Sequence, residues 1–201
     1  MAINREPILK RCRYLGISPM VMGVSKESKR FTKPGVANTR KKVSEYGMQL
    51  KEKQKLKFIY GVLEKPFRHY FEIASKMEGK AGDNLVTILE SRLDNVVYRM
   101  GYALTRREAR QLVTHKHFSV NGQRVDIPSY RVKPGDVITL HEKSRSSAKF
   151  KDVLEQTSGR VIPLWLESDR DNFSAKIVRA PITDDLDYET QTHLIVELYS
   201  K

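Results

Sequence analysis

The residues best suited to chemistry in this chain are basic ones, crowded on one predicted helix. Arg106, Arg107 and Arg110 fall within five positions, and only Glu108 offsets their charge nearby. Such crowding costs repulsion unless an external polyanion supplies the missing negative charge. The side chains that continue this donor-rich stretch are Gln111, His115, Lys116 and His117. The pattern predicts binding to a polyanion, with an ordinary solvated basic face as the alternative.

The sequence shows no motif that is typical of covalent catalysis or of metal binding. The five histidines are scattered, Cys12 has no paired base, and no phosphate-binding loop of the G-x-x-x-x-G-K-[ST] kind occurs. A zinc site needs about four ligands, so we expect no metal or cofactor and interpret Cys12 as a buried or incidental thiol. The acidic run at residues 184–189 lacks the spacing of a calcium loop, and we interpret it as a solvated helix start.

Two short amphipathic helices must position the basic cluster. The apolar stripe of the first is Leu93, Val96, Val97 and Met100, at helical period. Gly101 ends this helix, which begins either at a capping box of Ser91 and Asp94 or further back, near residue 84. Thr105 and Glu108 form a capping box for the second helix, whose apolar stripe is Ala109, Leu112 and Val113.

Antiparallel strands are predicted after the helices. Asn121 and Gly122 suit the positive φ angles of a type I′ hairpin turn. A second turn at residues 133–136 leads into an alternating strand at residues 137–141. Helices followed by antiparallel strands indicate an α+β unit.

The segments before and after this unit give weaker sequence signals. Residues 44–64 are predicted to be helical, with lysines at every second position from 51 to 57, and Lys65–Pro66 is predicted to break that helix before another begins at Phe67. Aromatic residues here either pack in a core or stack on bases, and core packing is the more common role at helical spacing. Residues 144–151 resemble a linker, and Trp165 with Leu164 and Leu166 is expected to pack into the sheet. The alternating residues Leu194, Val196 and Leu198 predict a last strand.

A family resemblance is carried by RLDNVVYRMG, TRREARQLV, H-x-H-x-x-VNG and VKPGD, which together resemble the α-L RNA-binding module named after small-subunit ribosomal protein S4. The resemblance continues outside the module. VSEYGMQLKEKQKLKFIYGVLEKPFRHYF at Val43–Phe71 and HLIVELYSK at His193–Lys201 are similar to the bacterial ribosomal S4 family. The match covers residues 41–151 and the C-terminus, whereas residues 1–40 and 152–192 are looser.

The resemblance implies an α+β architecture in which a basic N-terminal extension and a helical domain precede the α-L module, which continues into a small antiparallel sheet with helices on one side. We expect residues 1–42 to be an extension that orders on RNA and residues 43–90 to be the helical domain, with residues 185–201 as a candidate to dock there. Residues 91–151 form the module, and 152–201 an acidic part that completes the sheet. The chain has only Cys12, whereas some family members bind zinc through four cysteines in this region.

The function implied is that of a structural constituent of the small ribosomal subunit, a primary ribosomal RNA (rRNA)-binding protein that nucleates assembly at a multi-helix junction of the 5′ domain. The family also implies a role where messenger RNA enters and in translational accuracy, ribosomal protein S5 as a neighbour, and in some members repression of the operon messenger. We expect no membrane partner and no stable homo-oligomer. The residues expected to bind rRNA are Lys10, Arg11, Arg13, Arg40, Lys41, Lys42, Lys51, Lys53, Lys55, Lys57, Tyr60, Arg68, Arg106, Arg107, Arg110, Gln111, His115, Lys116, His117 and Asn121.

Two other function classes share features with this sequence. Arg92-Leu93-Asp94 matches the catalytic signature of some pseudouridine synthases, but in those enzymes the catalytic domain is a separate large fold beyond the module. Asp94 can instead serve a structural role at the start of the helix, near Arg92 or Arg99. A free-standing RNA chaperone of the α-L class is the other alternative, although such proteins are usually shorter and lack the EYGMQLKEKQK helix.

Charge and hydropathy agree with an RNA partner. The net charge is +13, and residues 1–57 carry fifteen Lys or Arg against four acidic residues, whereas residues 152–201 carry five against ten. No run approaches the ~20 apolar residues that span a bilayer, and the first residues lack the apolar core of a signal peptide. We therefore expect a cytoplasmic protein in which the N-terminal quarter and the module face the anion.

Overall fold

The structure is a computed structural model that describes residues 6–25 and 44–200, and its contacts divide the chain into two compact units. Residues up to 85 and from 186 onward belong to the first unit, and residues 86–185 form the second. Arg40, Lys41, Lys42 and most of the predicted basic extension lie outside the described residues.

The first unit is helical. Its elements are α1 (Ile8–Leu15), a 3₁₀ turn (Pro19–Met22), α2 (Glu45–Ile59), α3 (Glu64–Ala74), the first half of α4 (Ala81–Glu90) and α9 (Thr192–Tyr199). Ser44 caps α2 by accepting a hydrogen bond from the Gly47 amide at 3.2 Å. Gly61 then turns the chain with a φ of 62°, a conformation that favours glycine.

The C-terminal helix α9 packs on α2 and α3 within this unit. Gln49 Nε2 donates to Glu197 Oε2 at 3.0 Å, and the rings of Phe71 and Tyr199 stack with centroids 4.6 Å apart. Gly82 of α4 also touches α9, since a Cβ at this position would lie 2.6 Å from Thr192 Oγ1. The C-terminus is therefore a built-in part of the helical unit.

Two predictions for this unit were wrong. The strand predicted near the C-terminus is instead the helix α9. Its apolar residues also fit a helical pattern, and the helix buries Ile195 completely. Lys65–Pro66 does not break a helix; α2 ends at Ile59, and Pro66 lies in the first turn of α3, where a helix needs no amide from it.

The second unit contains the sheet. Its elements are the rest of α4, α5 (Leu93–Arg99), α6 (Arg106–Thr114), β1 (Phe118–Val120), β2 (Gln123–Arg124), β3 (Val137–Leu140), α7 (Glu142–Arg145), α8 (Ala148–Gln156), β4 (Leu166–Asp169), β5 (Ser174–Ile177) and a 3₁₀ turn (Thr183–Asp185). The strand order is β2-β1-β3-β5-β4, and all recorded pairs are antiparallel. The predicted α+β class is confirmed.

The turns of the second unit follow the sequence. Asn121 and Gly122 have φ angles of 49° and 81°, as a type I′ turn requires, and they join β1 to β2. Gly135, with a φ of 92°, forms the second turn, and β3 then alternates between half-buried and buried positions. Gly101 ends the α5 segment with a φ of 85°.

The core of this unit joins α5 and α6 to the sheet. Tyr102 and Phe118 meet edge to face with centroids 6.0 Å apart, and Trp165 is completely buried among them. The prediction for Trp165 is confirmed, but Leu164 is 85% exposed and does not pack into the sheet.

Three further interpretations of this unit require correction. Residues 144–151 are not a linker, because the end of α7 and the first turn of α8 lie within them. Helix α5 is not amphipathic, since every residue from Leu93 to Arg99 is buried. The acidic run starts within a 3₁₀ turn (Thr183–Asp185), and its solvated character holds for the exposed Asp184, Asp187 and Glu189 but not for Asp185, whose side chain is only 6% exposed and pairs with Arg179 at 2.7 Å. That pairing lowers the pKa of Asp185 in spite of burial, which acts to raise it.

Candidate nucleic-acid interface

Helix α6 carries the centre of the basic cluster. Its start is fixed because Thr105 Oγ1 accepts from the Glu108 amide at 3.2 Å, while Glu108 Oε2 accepts from the Leu104 amide at 2.8 Å. The capping box predicted for these residues is therefore present, with Glu108 reaching one residue further back than expected. The apolar stripe of Ala109, Leu112 and Val113 is buried, which turns the opposite side of the helix outward.

The three arginines of α6 have different environments. Arg106 is only 7% exposed, so this side chain is mainly part of the interior, and its predicted contact with RNA stays a prediction. Its Nε donates to Asn95 Oδ1 at 2.8 Å, and its guanidinium carbon lies 4.4 Å from the centroid of the Tyr98 ring. Arg107 and Arg110 are partly exposed, and Gln111 is exposed. The outward cations of this helix are therefore Arg107 and Arg110.

The Arg92-Leu93-Asp94 motif builds a buried ion pair. Arg92 Nη2 lies 2.6 Å and Nε 3.0 Å from the two carboxylate oxygens of Asp94, and both side chains are almost completely buried. Arg110 Nη1 approaches the same carboxylate at 3.5 Å. Asp94 is thus engaged as a structural anion that helps to orient Arg110, and it is not presented to a substrate.

A second buried pair supports the same helix. Arg99 donates to both carboxylate oxygens of Glu90, at 2.9 and 3.1 Å, and Asn95 Nδ2 donates to Glu90 Oε2 at 2.7 Å. Since Asn95 also accepts from Arg106, these contacts link α4, α5 and α6 through polar groups with defined geometry. The network fixes the orientation of the α6 surface.

The residues after α6 continue its basic surface. Lys116 adopts a φ of 63°, is exposed, and pairs with Asp126 at 3.3 Å. His115 is exposed, and His117 is half-buried with Nδ1 2.8 Å from Ser144 Oγ. Burial lowers the pKa of His117, and the nearby charges of His115, Lys149 and His141 lower it further. His117 therefore favours its neutral form, in which one ring nitrogen donates and the other accepts.

Asn121 is exposed, but its amide serves the hairpin. Its Nδ2 donates to Asp136 Oδ1 at 2.8 Å, and its Oδ1 accepts from the Val137 amide at 2.9 Å. Because both ends of the amide are engaged inside the unit, this side chain holds the turn, and its predicted contact with RNA stays a prediction.

The lysines of α2 were expected to face RNA, and the structure places most of them in ion pairs within the helical unit. Lys53 and Lys57 both bind Glu64, the former at 2.8 Å, and Lys55 pairs with Glu52 at 3.3 Å. Lys51 is partly exposed, with its Nζ close to Gly16.

Tyr60, which directly follows α2, also belongs to the predicted rRNA-binding set. It is 4% exposed, and its hydroxyl lies 2.8 Å from that of Tyr188, so it belongs to the packed interior.

The remaining predicted residues of the helical unit lie on α1 and α3. Lys10 is exposed, Arg11 pairs with Glu6 at 2.6 Å, and Arg13 Nε donates to the Leu9 carbonyl at 3.3 Å. Arg68 is exposed on α3 and pairs loosely with Glu72 at 3.5 Å. Between these arginines of α1, Cys12 is buried, and burial raises its pKa, as suits the inert thiol that we expected.

Two groups at this surface were missed by the sequence interpretation. Arg124 of β2 contacts His141 through their side-chain nitrogens, which brings another cation beside the histidines. Arg160 donates to the carbonyls of Tyr98 and Ala103, both at 2.9 Å, and its guanidinium carbon lies 4.4 Å from the Tyr98 ring centroid. Neither residue lies on the predicted helices, so helical spacing gave no signal for them.

Within residues 6–25 and 44–200, no three His, Cys, Asp or Glu side chains are grouped so that they would hold a metal ion. Over the same ranges, no helix has the length and apolar character needed to cross a membrane.

Comparisons with known proteins agree with this organisation. The family model described as "Ribosomal protein S4/S9 N-terminal domain" matches residues 4–90, and that described as "S4 domain" matches residues 91–138. Among similar proteins, the small ribosomal subunit protein uS4 of Lachnospira eligens is 55% identical over 201 residues, the whole of both chains. That of Lachnoclostridium phytofermentans is 54% identical over 203 residues and also covers both chains completely. That of Clostridioides difficile is 62% identical over 162 residues, which are 81% of this chain and 78% of the relative.

Proposed function

Because the chain belongs to the uS4 family of small-subunit ribosomal proteins, whose role is structural and not enzymatic, we propose that it binds small-subunit rRNA through the outward side of α6 and the residues that follow it. The observation that carries this proposal is a set of exposed and partly exposed hydrogen-bond donors on a helix whose orientation is fixed by buried ion pairs. That set, the α6 basic surface, is Arg107, Arg110, Gln111, His115, Lys116 and His117.

Binding would combine charge with shape. Lysine and arginine contacts to phosphates supply most of the affinity and fix the position of the protein, but they carry no sequence information. Gln111, His115 and His117 add hydrogen-bonding groups that suit sugar hydroxyls and the edges of exposed bases. The buried Arg92–Asp94 and Glu90–Arg99 pairs support this mode, because they hold α6 in one orientation before RNA arrives.

The finer parts of the proposal rest on the family resemblance. They are nucleation of assembly at a multi-helix junction of the 5′ domain, a contribution where messenger RNA enters and to translational accuracy, and S5 as a neighbour. Repression of its own operon messenger is a further proposed activity. We also propose that the protein is not a stable homo-oligomer, and the bacterial relatives support a place in the cytoplasmic ribosome.

The test is a titration of the full-length protein against the 5′ domain of small-subunit rRNA at several salt concentrations, with excess transfer RNA as competitor. Binding that survives the competitor supports the proposal. Binding that the competitor abolishes contradicts it and leaves only non-specific attraction to polyanions.

The contribution of α6 is tested by Arg107→Gln. We expect the slope of log affinity against log salt to fall by about one, because one phosphate contact is lost, with thermal unfolding unchanged. Lys76→Gln is the matched control, since Lys76 is an exposed cation outside the proposed surface. Equal slopes for the two variants would exclude Arg107 from the interface.

A further inference from the structure

A loop beside the α6 basic surface exposes an aromatic and an aliphatic side chain together. In residues 126–131, Ile127 is 55% exposed and Tyr130 is 38% exposed. We propose that these two side chains, the Tyr130 platform, receive an unpaired RNA base that stacks on the tyrosine ring. The proposal rests on the proposed function and specifies a contact that none of the predicted site residues supplies.

The platform is held rigidly by the first turn of α5. The Leu93 amide donates to the Tyr130 carbonyl at 2.8 Å, and the Asp94 amide donates to the Pro128 carbonyl at 3.1 Å. The Tyr130 amide itself donates to the Ile127 carbonyl at 3.0 Å, which closes the loop on itself. Since the backbone is fixed before binding, little conformational entropy is lost when a base arrives.

Three cations are connected to the loop that carries the platform. Lys116 reaches the start of the loop through its 3.3 Å pair with Asp126. Arg110 approaches the Asp94 carboxylate, and the backbone amide of the same aspartate holds Pro128. Arg131 follows directly and is exposed. The loop that carries the platform is therefore associated with cations, which favours an anionic occupant.

An unpaired base meets these conditions. Its flat π-face stacks on an aromatic ring, and the phosphates that flank it are anions of the kind that nearby lysine and arginine side chains attract. Bases in a duplex keep their faces against their neighbours and do not offer them to a ring. The platform would thus distinguish a looped-out or junction base from a paired one, and it would tolerate different base identities because every base has a π-face.

Fluorescence gives a direct test in the full-length protein. Tyr130→Trp places an indole on the platform, and the native Trp165 adds a constant background because it is completely buried. We expect emission to be quenched as the 5′-domain rRNA saturates the protein. Ile182→Trp is the matched control, since Ile182 is 48% exposed beside the acidic residues Asp184 and Asp185 and should show no quenching. Absence of quenching in Tyr130→Trp at saturation would overturn the proposal.

Affinity provides the second measurement. Tyr130→Leu should weaken binding about tenfold, whereas Tyr130→Phe should bind like the wild type, because stacking needs the ring and not the hydroxyl. Neither substitution should alter the salt slope, since no charge is removed. If the wild-type protein binds with a normal slope but Tyr130→Leu binds equally well, the platform is wrong and the proposed function stands. If the wild type fails to bind specifically, the proposed function itself fails.

Discussion

At the scale of single residues, the arginines of the α6 segment show that identical side chains take unlike roles. Arg106 is buried against Asn95 and Tyr98, whereas Arg107 is partly exposed one position later. The helix turns by about 100° per residue, so adjacent arginines necessarily point in different directions. A substitution at one position therefore reports on folding, and at the next on binding.

Arg106→Ala should lower the free energy of unfolding by about 2–4 kcal/mol. The change leaves the buried Asn95 oxygen without this donor and removes a desolvated guanidinium from the Tyr98 ring. Urea denaturation of Arg106→Ala and of Arg107→Ala measures the change in the free energy of unfolding. Arg107→Ala is the matched control and should stay within about 0.5 kcal/mol of the wild type. Similar values for the two variants would contradict the structural role of Arg106.

At the scale of elements, one carboxylate joins three helices of the first unit. Glu64, at the start of α3, accepts hydrogen bonds from Lys53 and Lys57 of α2 and from the Tyr199 hydroxyl of α9 at 3.0 Å. Burial acts to raise the pKa of Glu64, but these hydrogen bonds outweigh it and lower the pKa to about 2. Burial and the Glu64 charge raise the pKa of Tyr199, which keeps the hydroxyl as the donor.

The stability of the first unit should therefore depend on pH through Glu64. Because its pKa is depressed from 4.5 to about 2 in the folded state, the ionised carboxylate stabilises the fold above pH 4.5, and this contribution is lost as the pH falls toward 2. Glu64→Gln should lower stability at pH 7 and flatten the pH dependence between those values. Urea denaturation across this range is the measurement.

Solvent limits the size of this effect, since the Glu64 side chain is 48% exposed and its ion pairs are partly screened. Glu72→Gln is the matched control, because Glu72 pairs with Arg68 on the exposed side of the same helix. A pH profile for Glu64→Gln that matches the wild-type profile would contradict the role assigned to Glu64.

At the scale of the whole molecule, the acidic C-terminal part does not form one body. Residues up to 185 belong to the second unit, where they supply β4, β5 and Arg160, and residues from 186 belong to the first, where they supply α9. The acidic residues after residue 151 are thus divided between the two units.

A fragment experiment tests this division. Residues 86–185 should fold cooperatively when expressed alone, because they contain the complete sheet and its core. Residues 86–151, which retain the predicted module, should not, because they lack Trp165, Arg160 and the two strands that complete the sheet. Thermal unfolding followed by near-ultraviolet circular dichroism distinguishes the outcomes. A cooperative transition in the shorter fragment would show that the module is independent of the C-terminal strands.

The amino-acid sequence by itself determined the local features whose causes are local. Asn121–Gly122 specified its hairpin because few residues accept two successive positive φ angles, and Thr105 with Glu108 specified the start of α6 through capping hydrogen bonds. The clustering of charge along the chain and the family motifs indicated an RNA partner.

Only the tertiary structure decided what depends on neighbours distant in sequence. The run Thr192–Tyr199 is compatible with a strand or a helix, and packing on α2 and α3 selects the helix. Arg106 and Tyr60 became interior residues because Asn95, Tyr98 and Tyr188 meet them there. Tyr130 acquired its exposed position because the start of α5 holds its loop beside cations from α6. Residue type sets which interactions a side chain can make, and the packed fold decides which of them it does make.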